Sequence, residues 1–420
     1  MKRRKFVGLT GLGLAGMALD ARSALVSRRR GTPDVLVIGA GVFGVWTAYH
    51  LRRQGATVTL VDAFGPGNAF GESGGHTRMT QIDGDSPLFI RSCLESFPWW
   101  ERMDQSSYSR IIYRTGRLRL GKQPASLARA QLRKQQLLPF GVSNVEILDA
   151  AEMRHRWPAI RTDDMLFGSY HPGGPGGSAL RADVGCKVVA NEFEKMGGKV
   201  MIGHADAQFS RGRLRGVKIR ETGERLQAAK YVFAGGPWMP SQFPELLGPR
   251  LRLEPRLVYF YKLPEGDERL AFPNIPAWTL PEASIYGVPS IENEGHKFAP
   301  GIMPASVPDI EQQTREFAYD RFPSLKGMPV LRVRACQMTR TVSYDFIIDR
   351  HPQLENAYLV CAGSGQGYKH GPTVGLHATK LLLGETLDAE YAAAFRLKND
   401  LFDAPAPPPP ADAARETYPQ

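Results

Sequence analysis

Cysteine is scarce in this 420-residue chain, and Cys93, Cys186, Cys336 and Cys361 are widely dispersed. Four such residues cannot supply a disulfide scaffold or a thiolate zinc site. One pair could bridge in an oxidising compartment, and their spacing selects none. Long apolar runs are also missing. The leader's apolar stretch, residues 6–19, is short and glycine-rich, and nothing later is long enough to cross a bilayer. No segment interleaves Lys and Arg with aromatics, so no nucleic-acid stripe is present. Internal repeats are absent. No cluster with metal-ligand spacing occurs, and no metal role is assigned.

What is present suits a soluble globular protein of two domains. A hydrophobic content of 42% lets a chain of this length bury a real core. The formal charge is +11, of which the first 24 residues carry +4. The rest is scattered and reads as a solvated surface that mildly attracts small anions. Residues 1–24 read as a signal peptide. A basic start containing Arg3 and Arg4 precedes Phe6, and Ala21 and Ser23 stand near a cleavage point. The arginine pair predicts recognition by the twin-arginine export machinery, export already folded, and a periplasmic or secreted location.

Residues 35–62 form a complete β-α-β unit. An apolar strand over 35–38 leads into a helix over 42–53, which Gly55 stops, and a second apolar strand follows over 57–61. A second helix-strand unit is expected from Leu180, Val184, Val188, Phe193 and Met196 at helical spacing, followed by a strand at 199–202. The strands RLRGVKI and YVFAGG come next. Near the end, AYLVCAG reads as a buried strand and residues 373–383 as a helix stopped by Gly384. The fold class is therefore α/β. A Rossmann-like dinucleotide domain (32–90, 171–244 and 331–400) interleaves with an antiparallel-sheet substrate domain (91–170 and 245–330), and residues 401–420 read as a disordered Pro-rich tail.

Gly39, Gly41 and Gly44 stand in a Gly-x-Gly-x-x-Gly turn between the first strand and its helix. The first allows the tight turn, the second lets a pyrophosphate approach the backbone, and the third lets helix and strand touch. Asp62 ends the second strand, where a carboxylate accepts ribose hydroxyl hydrogen bonds. The motif predicts dinucleotide binding and does not separate FAD from NAD.

Four further segments make that separation by resemblance: DAFGPGNAFGESGGHTR, SIYGVPSIENEGHKF, CQMTRTVSYDFIIDRHP and AGSGQGYKHGPTVG. With them, residues 35–396 resemble the monomeric sarcosine oxidase family, within the D-amino-acid-oxidase-like flavoproteins. The resemblance implies FAD, a small-molecule amine substrate, oxygen as acceptor and a monomeric protein that binds no nucleic acid. It implies that Lys297 sits by the flavin and promotes oxygen reduction. A fixed ammonium about 5 Å from an anion, at an effective dielectric near 20, is worth roughly 3 kcal/mol. It implies a thioether tether from Cys336 to the flavin, and places Arg78 and the adjoining Thr77 against the ring system. Gly363, Gly365 and Gly367 would bring backbone amides to it. Lys369 and Tyr286 would contact substrate. His76, His296 and His370 are assigned no role.

The departures from the family are specific. Gln81 stands where the family has its main carboxylate-binding Arg, Met338 where it has a second pocket Tyr, and Gly301 where it has a His. Gly74 replaces a His near the tether. Flavin chemistry is expected to be retained and substrate recognition rebuilt, with bulky or hydrophobic amines favoured over sarcosine and Gln81→Arg restoring small N-methyl amino acids. Two rival readings are a dehydrogenase that passes electrons to a quinone or carrier, and a flavin-binding module without turnover.

Overall fold

In the computed structural model, residues 34–82, 84, 86–210, 212–301, 307–403 and 416–417 are described. The leader, residues 1–24, lies outside them. The first sheet has six strands in the order Ile347–Arg350, Ala357–Cys361, Lys230–Phe233, Val35–Ile38, Val58–Asp62 and Lys199–Ile202. All run parallel except Ile347–Arg350, which pairs antiparallel with Ala357–Cys361. A sheet covered on both faces needs strands that are apolar on both sides, and VLVI, YVF and AYLVC meet that requirement.

One face packs against the helices Val42–Arg53, Ala182–Lys195, Gly371–Leu383 and Pro87–Gln105, around Trp46 and Trp100. The other is covered by a small sheet of Ala205–Ser210, Arg213–Ile219 and Arg225–Leu226 and by the segment around Met239 and Phe243. RLRGVKI therefore joins this separate sheet. Leu180, expected to begin the second helix, lies instead in the strand Ala179–Arg181. Gly384 ends its helix in the left-handed conformation, as expected.

The second sheet has nine strands: Glu416–Thr417, Val330–Arg340, Arg252–Tyr261, His296–Pro300, Ile285–Val288, Ala277–Leu280, Arg117–Gly121, Phe167–His171 and Glu146–Leu148. It is mixed, because Ala277–Leu280 runs parallel to Arg117–Gly121. One of its faces buries Trp278, Phe298 and Phe322 against the helix Val307–Arg321. The other face looks toward the ends of the parallel strands.

Three expected boundaries change. Residues 331–340 are expected in the dinucleotide domain, yet they belong to the strand Val330–Arg340, which pairs along its length with Arg252–Tyr261 in the nine-stranded sheet. The helix Pro87–Gln105 extends into the expected substrate domain but buries Phe97, Trp100 and Met103 in the dinucleotide-domain core. In the tail, Glu416–Thr417 pairs antiparallel with Val333 and Arg334, where an edge strand offers unpaired backbone groups. Most of the tail lies outside the described residues. All four cysteines are free.

Candidate active site

Each central parallel strand ends at the same crevice. The turn after Ile38 brings Gly39 and Gly41, the end of Val58–Asp62 brings Asp62, the turn after Phe233 brings Ala234 and Gly235, and the turn after Cys361 brings Ala362 and Gly363. Open α/β sheets bind ligands at this edge, where neighbouring connections leave in opposite directions. The opposite wall is the inner face of the nine-stranded sheet, carrying Arg256, Val258, Tyr286, Lys297, Cys336 and Met338. Between the walls lies a cavity of about 670 Å³.

At the dinucleotide end the fit is to backbone. Gly39 has φ +105°, and a Cβ there would lie 2.3 Å from the Ala234 carbonyl oxygen. A Cβ on Gly44 would lie 1.8 Å from the Gly39 oxygen, so Gly44 acts behind the turn and does not line the cavity. Asp62 accepts from the N–H groups of Ala40 at 2.7 Å and of Phe64 and Gly65 at 2.8 Å. It thus builds the glycine turn as well as lining the cavity expected to hold a ribose. Burial raises its pKa, while these N–H groups pull the other way. His204, Ala205 and Trp238 complete this end.

At the other end the fit is to side chains. Lys297 is 3% exposed, donates to the Thr77 carbonyl at 2.8 Å, and lies 5.5 Å from the Tyr286 ring centre. Burial, with Arg78 nearby, lowers its pKa to about 7. Arg78 is held by the carbonyls of Thr77, Glu72 and Gly74 at 2.8–2.9 Å. Thr77 contributes its carbonyl to Lys297, while its hydroxyl is buried without a described partner. Gln337, a cavity residue, also has a buried side-chain oxygen without a described partner. Thr77, expected against the flavin, does not itself line the cavity, so of these two oxygens only that of Gln337 belongs to a residue on its wall. Gly365 and Gly367 allow close packing, since a Cβ on Gly365 would meet the Met338 sulfur at 2.4 Å.

Two expected substrate contacts are not brought to this cavity. Lys369 is buried behind the closing loop, with its Nζ 3.1 Å from the Gln366 carbonyl and its charge acting on Cys93 and His370. The Gln81 backbone faces the Cys93 thiol. Both lie off the cavity lining because their segments pack toward the Pro87–Gln105 helix. The histidines given no role behave structurally. His296 accepts from Trp278 Nε1 at 2.9 Å, His76 bonds the Ile291 carbonyl, and His370 bonds Ser92.

Sequence reading missed Glu72 and Arg256, both of which line the cavity. Arg256 was legible from period-2 alternation, since it sits directly across from Cys336 in the strand pair and shares its face. Glu72 carried only a weak signal, a lone acid in a glycine loop.

The sequence profile of the FAD dependent oxidoreductase family matches residues 34–381. The chain is 26% identical over 367 residues to a monomeric sarcosine oxidase from a Bacillus strain, covering 83% of this chain and 92% of that protein. It is also 26% identical over 368 residues to the N-methyl-L-tryptophan oxidase of Salmonella typhimurium, covering 84% and 95%. In fold it resembles the fructosyl peptide oxidase of E. terrenum, with TM-score 0.77, 20% identity, and coverage of 90% and 97%. The glycine cradle, the ribose-side carboxylate and the cavity size all fit FAD, and this chain belongs to the FAD-dependent oxidoreductase family.

Proposed function

We propose that this protein oxidises a secondary or primary amine, of the N-substituted amino acid kind, to an imine, with oxygen as acceptor and hydrogen peroxide as product. The observation that carries the reading is Lys297, a buried amine on the same cavity wall as Tyr286 and Cys336. Bound FAD would take a hydride from the carbon beside the amine nitrogen and pass its electrons to oxygen. The chain's own residues bind, orient and stabilise charge. Tyr286 bounds the substrate space, while Met338 and Gly301 leave it wider than the family's aromatic and imidazole walls would. Met338 is flexible and polarizable, which suits a larger apolar substituent. Lys297, when protonated, stabilises the negative charge that develops on oxygen. Cys336 is the proposed tether. The sarcosine and N-methyltryptophan oxidases support the amine class by the substrates in their names.

The reading includes twin-arginine export, carried by Arg3 and Arg4. Replacing both with Lys should leave precursor in the cytoplasm, and unchanged export would refute that route. For the reaction itself, the holoenzyme is mixed without air with a panel of N-methyl, cyclic and bulky amino acids and uncharged amines. At least one should bleach the flavin, and air should then restore the colour with one peroxide per turnover. A panel that leaves the flavin oxidised throughout overturns the amine reading. Bleaching reversed by a dye acceptor but not by air overturns the oxidase part alone.

A further inference from the structure

Glu72 lies where three separate pieces of the chain meet at the Cys336 end of the cavity. It belongs to the glycine-rich loop that also supplies Arg78. Its carboxylate accepts from the Thr339 N–H at 2.8 Å and from the Thr339 hydroxyl, three residues along the strand from Cys336. Its second oxygen lies against the closing loop, 3.5 Å from where a Cβ on Gly363 would stand. Thr339 in turn accepts from the Ser364 N–H through its carbonyl at 2.8 Å. The carboxyl therefore ties the glycine loop to the Cys336 strand at Thr339, and Thr339 in turn ties that strand to the closing loop. Glu72 is half-buried by surface area, its accessible part facing the cavity. Among the described residues lining the cavity, the other carboxyls are Asp62 and Asp206, both at the dinucleotide end.

We propose that Glu72 is a positioning residue that latches these three segments around the flavin and whose charge sets the reduction potential of the bound cofactor. The inference rests on the reading that the flavin ring occupies the Lys297–Cys336 end. An anion fixed there disfavours the electron-rich reduced cofactor, so ionised Glu72 lowers the potential and neutral Glu72 raises it. Burial lifts the carboxyl to about 7, against hydrogen bonds from Thr339 and the charge of Arg78 that favour ionisation. The groups facing it are Arg78 from the loop, Thr339 from the strand and Cys361 from the central sheet. Coupling is reciprocal: reduction of the flavin raises the carboxyl's proton affinity as much as its protonation raises the potential. The potential should therefore fall more steeply with pH on either side of neutrality than the flavin's own protonation requires.

The test is the midpoint potential of the holoenzyme from pH 5.5 to 8.5, with no amine present. Glu72→Gln keeps the shape and an acceptor for Thr339 but cannot ionise. At pH 8.5 it should favour the reduced flavin about tenfold over the parent, which is about 30 mV for a two-electron couple. At pH 5.5 the two should coincide. Lys297→Met, run alongside, separates any contribution of the neighbouring ammonium, which titrates in the same range. Should Glu72→Gln lose its flavin, Thr339→Val removes one donor to the carboxylate and should move the break to higher pH. Equal potentials at both pH values, or a break that Thr339→Val leaves in place, overturn the proposal. Potentials are read without substrate, so an enzyme that oxidises no amine would still decide this question.

Discussion

At the dinucleotide end of the cavity the wall is mostly backbone. Gly39, Gly41, Ala234 and Gly235 present main-chain atoms, and Asp62 spends its oxygens holding that backbone in shape. At the Lys297 end the wall is side chains drawn from five distant segments: the 71–78 loop and the strands carrying Arg256, Tyr286, Lys297 and Cys336. A backbone site tolerates no change of shape, whereas a side-chain site can be retuned residue by residue. Gly74, Gln81, Gly301 and Met338, the departures from the sarcosine oxidase family, all lie outside the first glycine turn. On the proposed function, the dinucleotide end holds cofactor mostly through backbone, while the Lys297 end carries the chemistry and the selectivity.

The largest effect should come from putting a side chain into the backbone site. Gly44→Ala places a Cβ 1.8 Å from the Gly39 oxygen, which rotamer changes cannot relieve. We expect a loss of about 3 kcal/mol or more and protein that purifies without flavin. Thermal unfolding and the absorbance spectrum check both. A yellow Gly44→Ala protein of parental stability would break the distinction between the two ends.

Next comes the tether at the side-chain end. Cys336 is half-buried, lines the cavity, and is directly paired with Arg256 across the strands. If it carries the flavin, acid precipitation should leave colour and fluorescence with the polypeptide, and Cys336→Ser should release them to the supernatant. Free FAD from the parent protein would refute the bond while leaving FAD binding intact. Because Gly74 stands where the family has a His, flavin attachment should also be followed over time after adding FAD to apoprotein.

Lys297→Met should slow flavin reoxidation by oxygen at least about tenfold, with reduction by amine changed much less. The pH dependence has a definite sign. With its pKa lowered to about 7, Lys297 is charged below that value and neutral above it. Reoxidation in the parent should therefore fall as pH rises through about 7 or above, and the variant should show a flat profile. The same shift couples to stability. It contributes stability above the ordinary value of 10.5 that is lost as pH falls through about 7, and Lys297→Met should remove that slope. Stopped-flow traces and unfolding midpoints between pH 6 and 10.5 measure the two effects.

Legibility followed the same division. The first strand and helix of the β-α-β unit were readable to the residue and its second strand to within one, and Lys199–Ile202 was equally legible, because local signals such as the Gly41 turn and the glycines after Met196 bound these elements. Lys297, Tyr286, Cys336 and Met338 could be brought together only by resemblance, since nothing local says that strands far apart in sequence share a face. Within a strand pair, however, alternation does say it, and Arg256 could have been found from Cys336. Glu72 could not, because its role depends on Thr339, 267 residues away. Residues 331–340 were placed with the wrong sheet's domain because a segment's own residues do not name the sheet it joins.

The smallest effect should come from the position that looked most consequential. Gln81 replaces the family's carboxylate-binding Arg, and sequence reasoning expected Gln81→Arg to restore small N-methyl amino acids. The fold ties this segment elsewhere. Thr80 donates its N–H to the Ser178 carbonyl at 2.8 Å and its hydroxyl to the Gly174 carbonyl at 3.1 Å. Ile82 is buried with Ile90, Cys93, Leu137 and Val145. With both neighbours anchored, residue 81 has little freedom to turn a longer side chain into the cavity. Lys369, the other expected substrate contact, donates to the Gln366 carbonyl behind the closing loop. An Arg at 81 therefore sits off the cavity and should change kcat/KM for sarcosine by no more than about twofold, the usual span for a substitution away from a site. Steady-state kinetics on sarcosine and one bulky N-methyl amino acid decide it. A tenfold gain confined to sarcosine would mean that residue 81 reaches the substrate, and selectivity would then belong to it instead of to Met338 and Gly301.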